Sequence, residues 1–292
     1  VLDHPYVTVS EFRAHPTFLD SNNLRSGGTQ PQQDAALNNA LLTASQWAED
    51  TINMPLAAHT VVEHARVRPD AMGRLRYHPE HAPVLTVSAI AIGPTPDALE
   101  AVSQPQAWLE QQGRVLVAYG PGAPALASLQ FGSSLATRTE VLVQWSYIAG
   151  YPATQLATGA SSGATSITVL DATGIQAASG ITPATVLRLW TPALEEAVTV
   201  ASVAGSTLTL ATPLTNNHPA GMSCSALPTT ARQAVINYAA AELMRPAPLA
   251  QTNQAPGAPS PAASSQDPQR STGGARLIAQ ALQLLNNYQR IR

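Results

Sequence analysis

The stretch Gln33–Leu56, QDAALNNALLTASQWAEDTINMPL, constrains this chain more than any other. Leu37, Ala40, Leu41, Ala44, Trp47, Ala48, Thr51 and Ile52 recur at helical spacing and form one apolar stripe. Asn38, Asn39, Gln46, Glu49 and Asp50 take the other side. Thr29 followed three residues later by Gln32 reads as a capping box, Pro31 sits in the tolerant first turn, and Pro55 stops the helix. A helix from Gln30 to Asn53 spans about 36 Å and must bury its stripe against something. The strong partner is far downstream, TTARQAVINYAAAELM at residues 229–244, and the many alanines let two helices approach closely. The expected fold is α+β: an antiparallel helix pair with a β-strand region between the helices, an inserted small all-β module, and a tethered C-terminal helix.

A short helix is expected before this stretch, with Thr8 as N-cap, Glu11 completing a second capping box, Val9 and Phe12 on its apolar side and Pro16 ending it. After Pro55 the hydrophobic period changes from 3.6 to 2. Residues 61–68 (VVEHARVR), a turn at 69–73 and residues 74–78 (RLRYH) read as a β-hairpin, and 84–92, 114–119 and 141–148 as further strands. The polar segment 97–113, broken by Pro105, reads as a surface excursion, and 119–134 as a loop. From 156 to 227 the texture shifts to short Thr/Val/Leu strands joined by Gly and Asn turns. There Val198–Val203 and Thr207–Leu210 flank Ala-Gly-Ser, a hairpin signal. The organisation is then a core over 1–155, an inserted β-module over 156–227, a helix at 228–245 completing the core, a Pro/Ser/Gln linker at 246–274, and a C-terminal helix at 275–292.

Charge narrows the function classes. The formal net charge is −3, all 15 basic residues are arginine, and charged residues make up 11%, against roughly 25% in typical soluble domains. Nothing here is basic enough to make nucleic acid the obvious partner. A neutral surface of Ala, Thr, Ser, Gln and Pro suits a protein whose faces are covered by neighbours. The lone Cys224 offers neither a disulfide frame nor zinc spacing. No apolar run reaches spanning length and the first residues lack a signal peptide's pattern, so the expectation is a soluble protein made in a cytoplasm, with no membrane partner.

Several motifs carry chemistry in other settings. Gly159-Ala160-Ser161-Ser162-Gly163 matches the nucleophile elbow by letter, but that elbow needs a strand before and a helix after, whereas a β-run comes next here. His78-Pro79-Glu80-His81 lacks ligand spacing on a helix, and Glu195 and Glu196, adjacent on a strand, point to opposite faces. Neither a catalytic residue nor a metal or cofactor site is expected. Arg66 and Arg68 on one strand, with Arg74 and Arg76 on the next, make a candidate basic face if the hairpin pairs them in register. That face would meet an acidic neighbour or a DNA backbone, or simply be solvated.

The C-terminal stretch is the strongest binding candidate. Leu277, Ile278, Ala281, Leu282, Leu285, Tyr288 and Ile291 form an apolar stripe, fringed by Arg276, Arg290 and Arg292. It reads either as a docking helix on a long tether or as a helix folded back on its own core.

Taken in order, TVSEF (8–12), DAALNNALLTASQWAED (34–50), APVLTVSAI (82–90) and LPTTARQAVINYAAAEL (227–243) resemble the head–tail connector, or adaptor, family of tailed bacteriophages. The resemblance covers about half the chain; the β-module and the tethered helix depart from the simplest members. It implies a structural virion protein at the portal vertex, a ring of twelve copies that joins the portal protein to the tail or nozzle. Double-stranded DNA would pass through its channel without sequence recognition. Under this reading the chain is no enzyme, and the C-terminal stripe grips the portal. The alternatives are another virion or tail component, such as a decoration or fibre-associated protein, and a carbohydrate-active enzyme on the β-rich part.

Overall fold

The computed structural model describes residues 2, 4–17, 19–22, 24, 27–70, 74–102, 106–110, 115–119, 140–179, 183–191, 194–244 and 268–288. Within these, helices and antiparallel sheets combine in an α+β fold. The loop expected at 119–134 lies, past Tyr119, outside the described residues, as does the expected linker up to residue 267.

The long apolar stripe becomes α2 (Gln30–Ile52). Gln32 Oε1 accepts from the Thr29 N–H at 3.0 Å, and Asn53 closes the helix in the left-handed conformation, φ 57°. Leu37, Leu41, Ala44, Ala48 and Ile52 are buried on it. They meet α1 (Val9–Ala14), through Phe12, and α3 (Thr229–Met244), through Ala231, Ala234, Val235, Ala239 and Ala240. Trp47 stacks on Tyr238 with ring centroids 3.9 Å apart and planes 11° from parallel.

A third helix joins this layer. α4 (Pro268–Leu285) begins inside the segment expected as linker and packs along α3, burying Ala281 and Leu285 completely in the same core. Tyr288 Oη lies 2.5 Å from Thr230 Oγ1 near the start of α3, while Gly274 lies against Ala241 near its end, so the two helices run antiparallel. The expectation of a free tethered helix is corrected. An apolar stripe of this size finds its burial on the alanine face of α3 within its own chain.

Two sheets come after α2 in sequence. β1 (His59–Val67), β7 (Val141–Ala149), β3 (Val84–Gly93) and β4 (Glu100–Ala101) form one in that order; β2 (Leu75–Tyr77), β6 (Val115–Tyr119) and β5 (Gln106–Glu110) form the other. They share a core of Val61, Leu75, Ile90, Leu116, Val143 and Trp145, and Tyr77 stacks on Trp145 at 5.7 Å. Two expectations are corrected here. β1 pairs with β7 and β2 with β6, so residues 61–78 are not a hairpin. The excursion at 97–113 contains β4 and β5, because Val102, Ala107 and Leu109 turn their apolar surface onto that core. Gly150 ends β7 at φ +105°, and a Cβ there would stand 2.5 Å from the Ala57 carbonyl oxygen, so only glycine fits.

The module is a small closed barrel. β8 (Ala153–Gln155), β13 (Ser223–Ser225), β10 (Val186–Thr191), β11 (Leu194–Ala204), β12 (Thr207–Leu210) and β9 (Ser166–Thr168) pair in that order. A bridge between Leu156 and Val169 joins the ends, with Ala157 N donating to Thr168 O at 2.8 Å and Leu170 N to Gln155 O at 2.9 Å. Leu156, Ile167, Leu187, Leu189, Val198, Val200 and Leu208 fill its interior. The expected hairpin is β11–β12, with Gly205 in the turn at φ +60°.

Candidate functional site

The residues expected to grip a partner divide between core and surface. Ala281 and Leu285 are fully buried against α3, and Leu277 and Tyr288 pack beside them. Ile278 is half-buried, whereas Arg276 is exposed and Leu282 is 39% exposed. Arg290, Ile291 and Arg292 lie outside the described residues. With α4 seated, the outward face of this helix and of the turn after it carries Arg276, Ala279, Gln280, Leu282, Gln283, Asn286 and Asn287 rather than the stripe.

The single basic face is not built. Arg66 is near the end of β1 with Arg68 just past it, and Arg74 precedes and Arg76 lies within β2, a strand of a different sheet. Arg74 Nε meets Asp70 Oδ2 at 2.6 Å, Arg76 meets Glu110 at 3.6 Å, and Arg68 approaches Glu140 at 4.0 Å; Arg66 is exposed. Three of the four positive charges thus have carboxylate partners on the surface.

The adjacent glutamates do separate. Glu195 points outward to Arg188 at 3.1 Å and to Arg232 at 3.5 Å. Glu196 turns to the barrel mouth and accepts from Thr215 N at 2.6 Å, Asn216 N at 3.1 Å, Asn216 Nδ2 at 3.2 Å and His218 Nε2 at 3.0 Å. Burial disfavours its charge, but the Thr215 N–H, His218 and Asn216 outweigh that and bring its pKa down to about 2. The Gly159–Gly163 turn lies beside this loop: Ser162 N donates to Asn217 Oδ1 at 2.7 Å and its hydroxyl donates to the Thr215 carbonyl at 2.8 Å. The next element is β9, not a helix, so the elbow geometry is not formed. Cys224 is buried inside the barrel, its thiol pKa pushed up to about 12 by burial.

Two buried polar clusters tie the elements together. Tyr6 Oη donates to Glu49, Glu49 also accepts from Leu56 N at 2.9 Å, and Ala57 N donates back to Tyr6 Oη at 2.9 Å. Glu49, expected on the solvated side of α2, is thus buried, and burial together with that carboxylate raises the Tyr6 pKa well above its usual value. In the second cluster Glu11 on α1 pairs with Arg232 on α3, both 5% exposed, and Arg232 reaches Glu195 on the barrel. Burial raises the Glu11 pKa against the pull of Arg232. Thr8 caps α1 by accepting from Glu11 N at 3.2 Å, but the Glu11 side chain does not reach back to complete the box; it goes to Arg232. Arg232 was legible in principle. It stands three and four residues before Val235 and Ile236, on the apolar side of α3, where an arginine needs a buried partner.

His59 Nε2 and His81 Nδ1 lie 3.3 Å apart beside a cleft of about 530 Å³ lined by polar residues such as Tyr6, Glu49, His59 and Asp171 and by apolar ones such as Leu2 and Leu170. Among the described residues no group of three or more His, Cys, Asp or Glu could hold a metal ion, and no helix is long and apolar enough to cross a membrane. No protein-family model matches the sequence, and no curated protein matches it.

Proposed function

We propose that the chain is the subunit of a ring that joins a portal to a tail in a tailed bacteriophage, most simply as twelve copies around a DNA channel. The observation that carries this reading is architectural. A long helix and a late alanine-rich helix bracket the antiparallel sheets in sequence and pack on each other in space, in the order the connector resemblance implies. The low charge of 11% supports it, because lateral packing of many copies leaves little surface to solvate. On this reading the barrel is an outward extension of the ring, and the chain performs no chemistry.

Electron-microscope class averages of the protein mixed with portal rings test the proposal; the expected result is a second ring coaxial with the portal. Portal rings that show no added density would overturn it. The role of α4 is tested beside this with Arg276→Glu and Leu282→Asp, which change its outward face and leave Ala281 and Leu285 in place. If α4 grips the portal while seated on α3, these substitutions weaken co-assembly by about tenfold or more with the fold intact, the worth of roughly one well-made contact. Unchanged co-assembly would put the portal contact elsewhere.

A further inference from the structure

The four-stranded sheet has two unlike edges. Among the described residues β1 is hydrogen-bonded to β7 alone and β4 to β3 alone, so each leaves one side of its backbone without a strand. β1 runs for nine residues with no proline, pairs with β7 without a bulge, and leaves Val62 53% exposed. A long regular edge of this kind is a ready template for another strand.

Charge distinguishes the two edges. On the β1 side Arg66 and Arg68 are exposed; among the described residues Arg66 has no carboxylate partner, and Arg68 has only Glu140 at 4.0 Å. Their neighbours in sequence, Arg74 and Arg76, are instead paired within the chain. On the β4 side Asp97, in the turn before the strand, and Glu100, on the strand, are exposed, and neither has a cationic partner among the described residues. The two pairs of charges stand at the same end of the sheet. Counted across the ladders, Ala65 is level with Val143, Ile92 and Glu100, and Arg66 is level with Leu142 and Gly93. Every pairing in the sheet is antiparallel, so β1 and β4, three pairings apart, run in opposite directions. A second copy set alongside in the same orientation therefore brings its β1 antiparallel to β4, the better-bonded arrangement. At that level Ala65 arrives at Glu100, Arg66 one residue further on, and Arg68 at Asp97.

We propose that copies of this chain join head to tail through this sheet, β1 of one adding to β4 of the next, with Arg66 and Arg68 set against Asp97 and Glu100. A contact made from two different edges repeats from copy to copy, and it closes as a ring when the rotation per copy divides the circle. Two β4 edges would set acid against acid, which disfavours that symmetric pairing. The proposal deepens the ring reading by naming its subunit contact, and it rests on that reading.

The test uses the full chain and two double variants, Arg66→Glu/Arg68→Glu and Asp97→Arg/Glu100→Arg, with unfolding midpoints confirming the fold. Association is read by sedimentation velocity and as ring density on portal rings. Each double variant alone should associate about tenfold or more weakly than wild type, since both of its edges then carry one sign. An equimolar mixture of the two should regain assembly, because the acidic β1 of one meets the basic β4 of the other, and the basic β1 meets the acidic β4. Arg68→Glu and Asp97→Arg, which lie outside the strands, give the same comparison where a double variant does not fold. Variants that assemble alone as wild type does, or a mixture that stays apart, would overturn the edge contact, while wild-type rings on the portal would leave the ring reading standing. Wild type that neither self-associates nor adds density to portal rings would overturn both.

Discussion

Glu195 and Glu196 are neighbours in the chain and live in opposite environments, because successive strand residues face opposite sides of a sheet. Glu196 is the more consequential. Its carboxylate holds residues 215–218 across the barrel mouth, and its pKa of about 2 lies below the ordinary 4.5. A depressed folded-state value means that the ionised form stabilises the fold. That contribution is complete above pH 4.5 and is lost as pH falls towards 2. Urea denaturation followed from neutral pH downward should show this decline. Glu196→Gln should remove it and lower neutral-pH stability by on the order of 2 kcal/mol. Parallel acid curves for wild type and variant would show that Glu196 is not the group responsible.

At the scale of elements, the C-terminal helix separates what a pattern says from what a neighbour decides. Its periodicity correctly marks one apolar face, but periodicity cannot say whether the covering surface belongs to the same chain. α3 supplies that surface: Gly274 of α4 lies against Ala241, and Ala281 and Leu285 are buried in the core that α3 shares. Leu285→Ala should therefore cost about 2–5 kcal/mol in denaturant unfolding, since Leu285 is fully buried, whereas Leu282→Ala, 39% exposed, should cost under about 1 kcal/mol. Equal and small effects would mean that α4 spends its time off α3. The arginine pattern at 66–76 misleads for a related reason. The letters alternate as a hairpin would, but β1 finds its long partner in β7, far along the chain, and the arginines of β2 go to another sheet.

For the whole molecule, the chain enters and leaves the barrel at one place, with further contacts where Gln176 Nε2 donates to the Leu85 carbonyl at 3.3 Å and Glu195 meets Arg232 at 3.5 Å. Ala226 N donates to the Pro152 carbonyl at 2.7 Å, so the chain leaves and returns at one place. Its core of leucines and valines is its own, while Leu227 already belongs to the helix layer. Replacing residues 153–225 by an Asn-Gly turn should leave the helices and the two sheets cooperatively folded, judged by dispersed amide resonances and a single unfolding transition. Arg232 would keep Glu11 and lose only Glu195. A collapsed, undispersed spectrum would show that the barrel is part of the folding unit.

What the sequence determined by itself was local: the caps and length of α2, the stop at Pro55, the β11–β12 turn at Gly205, the alanine face of α3, and the change of texture that marks the β-module. Each depends on residues within a few positions of one another, where backbone sterics and hydrophobic period act directly. What only the tertiary structure decided was pairing over distance. The closure of six short strands through Leu156 and Val169, the burial of Glu49 by Tyr6, the capture of Glu11 by Arg232 and the seating of α4 on α3 all join residues far apart in the chain. Such contacts depend on which of many apolar faces and polar groups are brought within reach, and the strength of a carboxylate's partner or the fit of two helices enters only after the chain has come together.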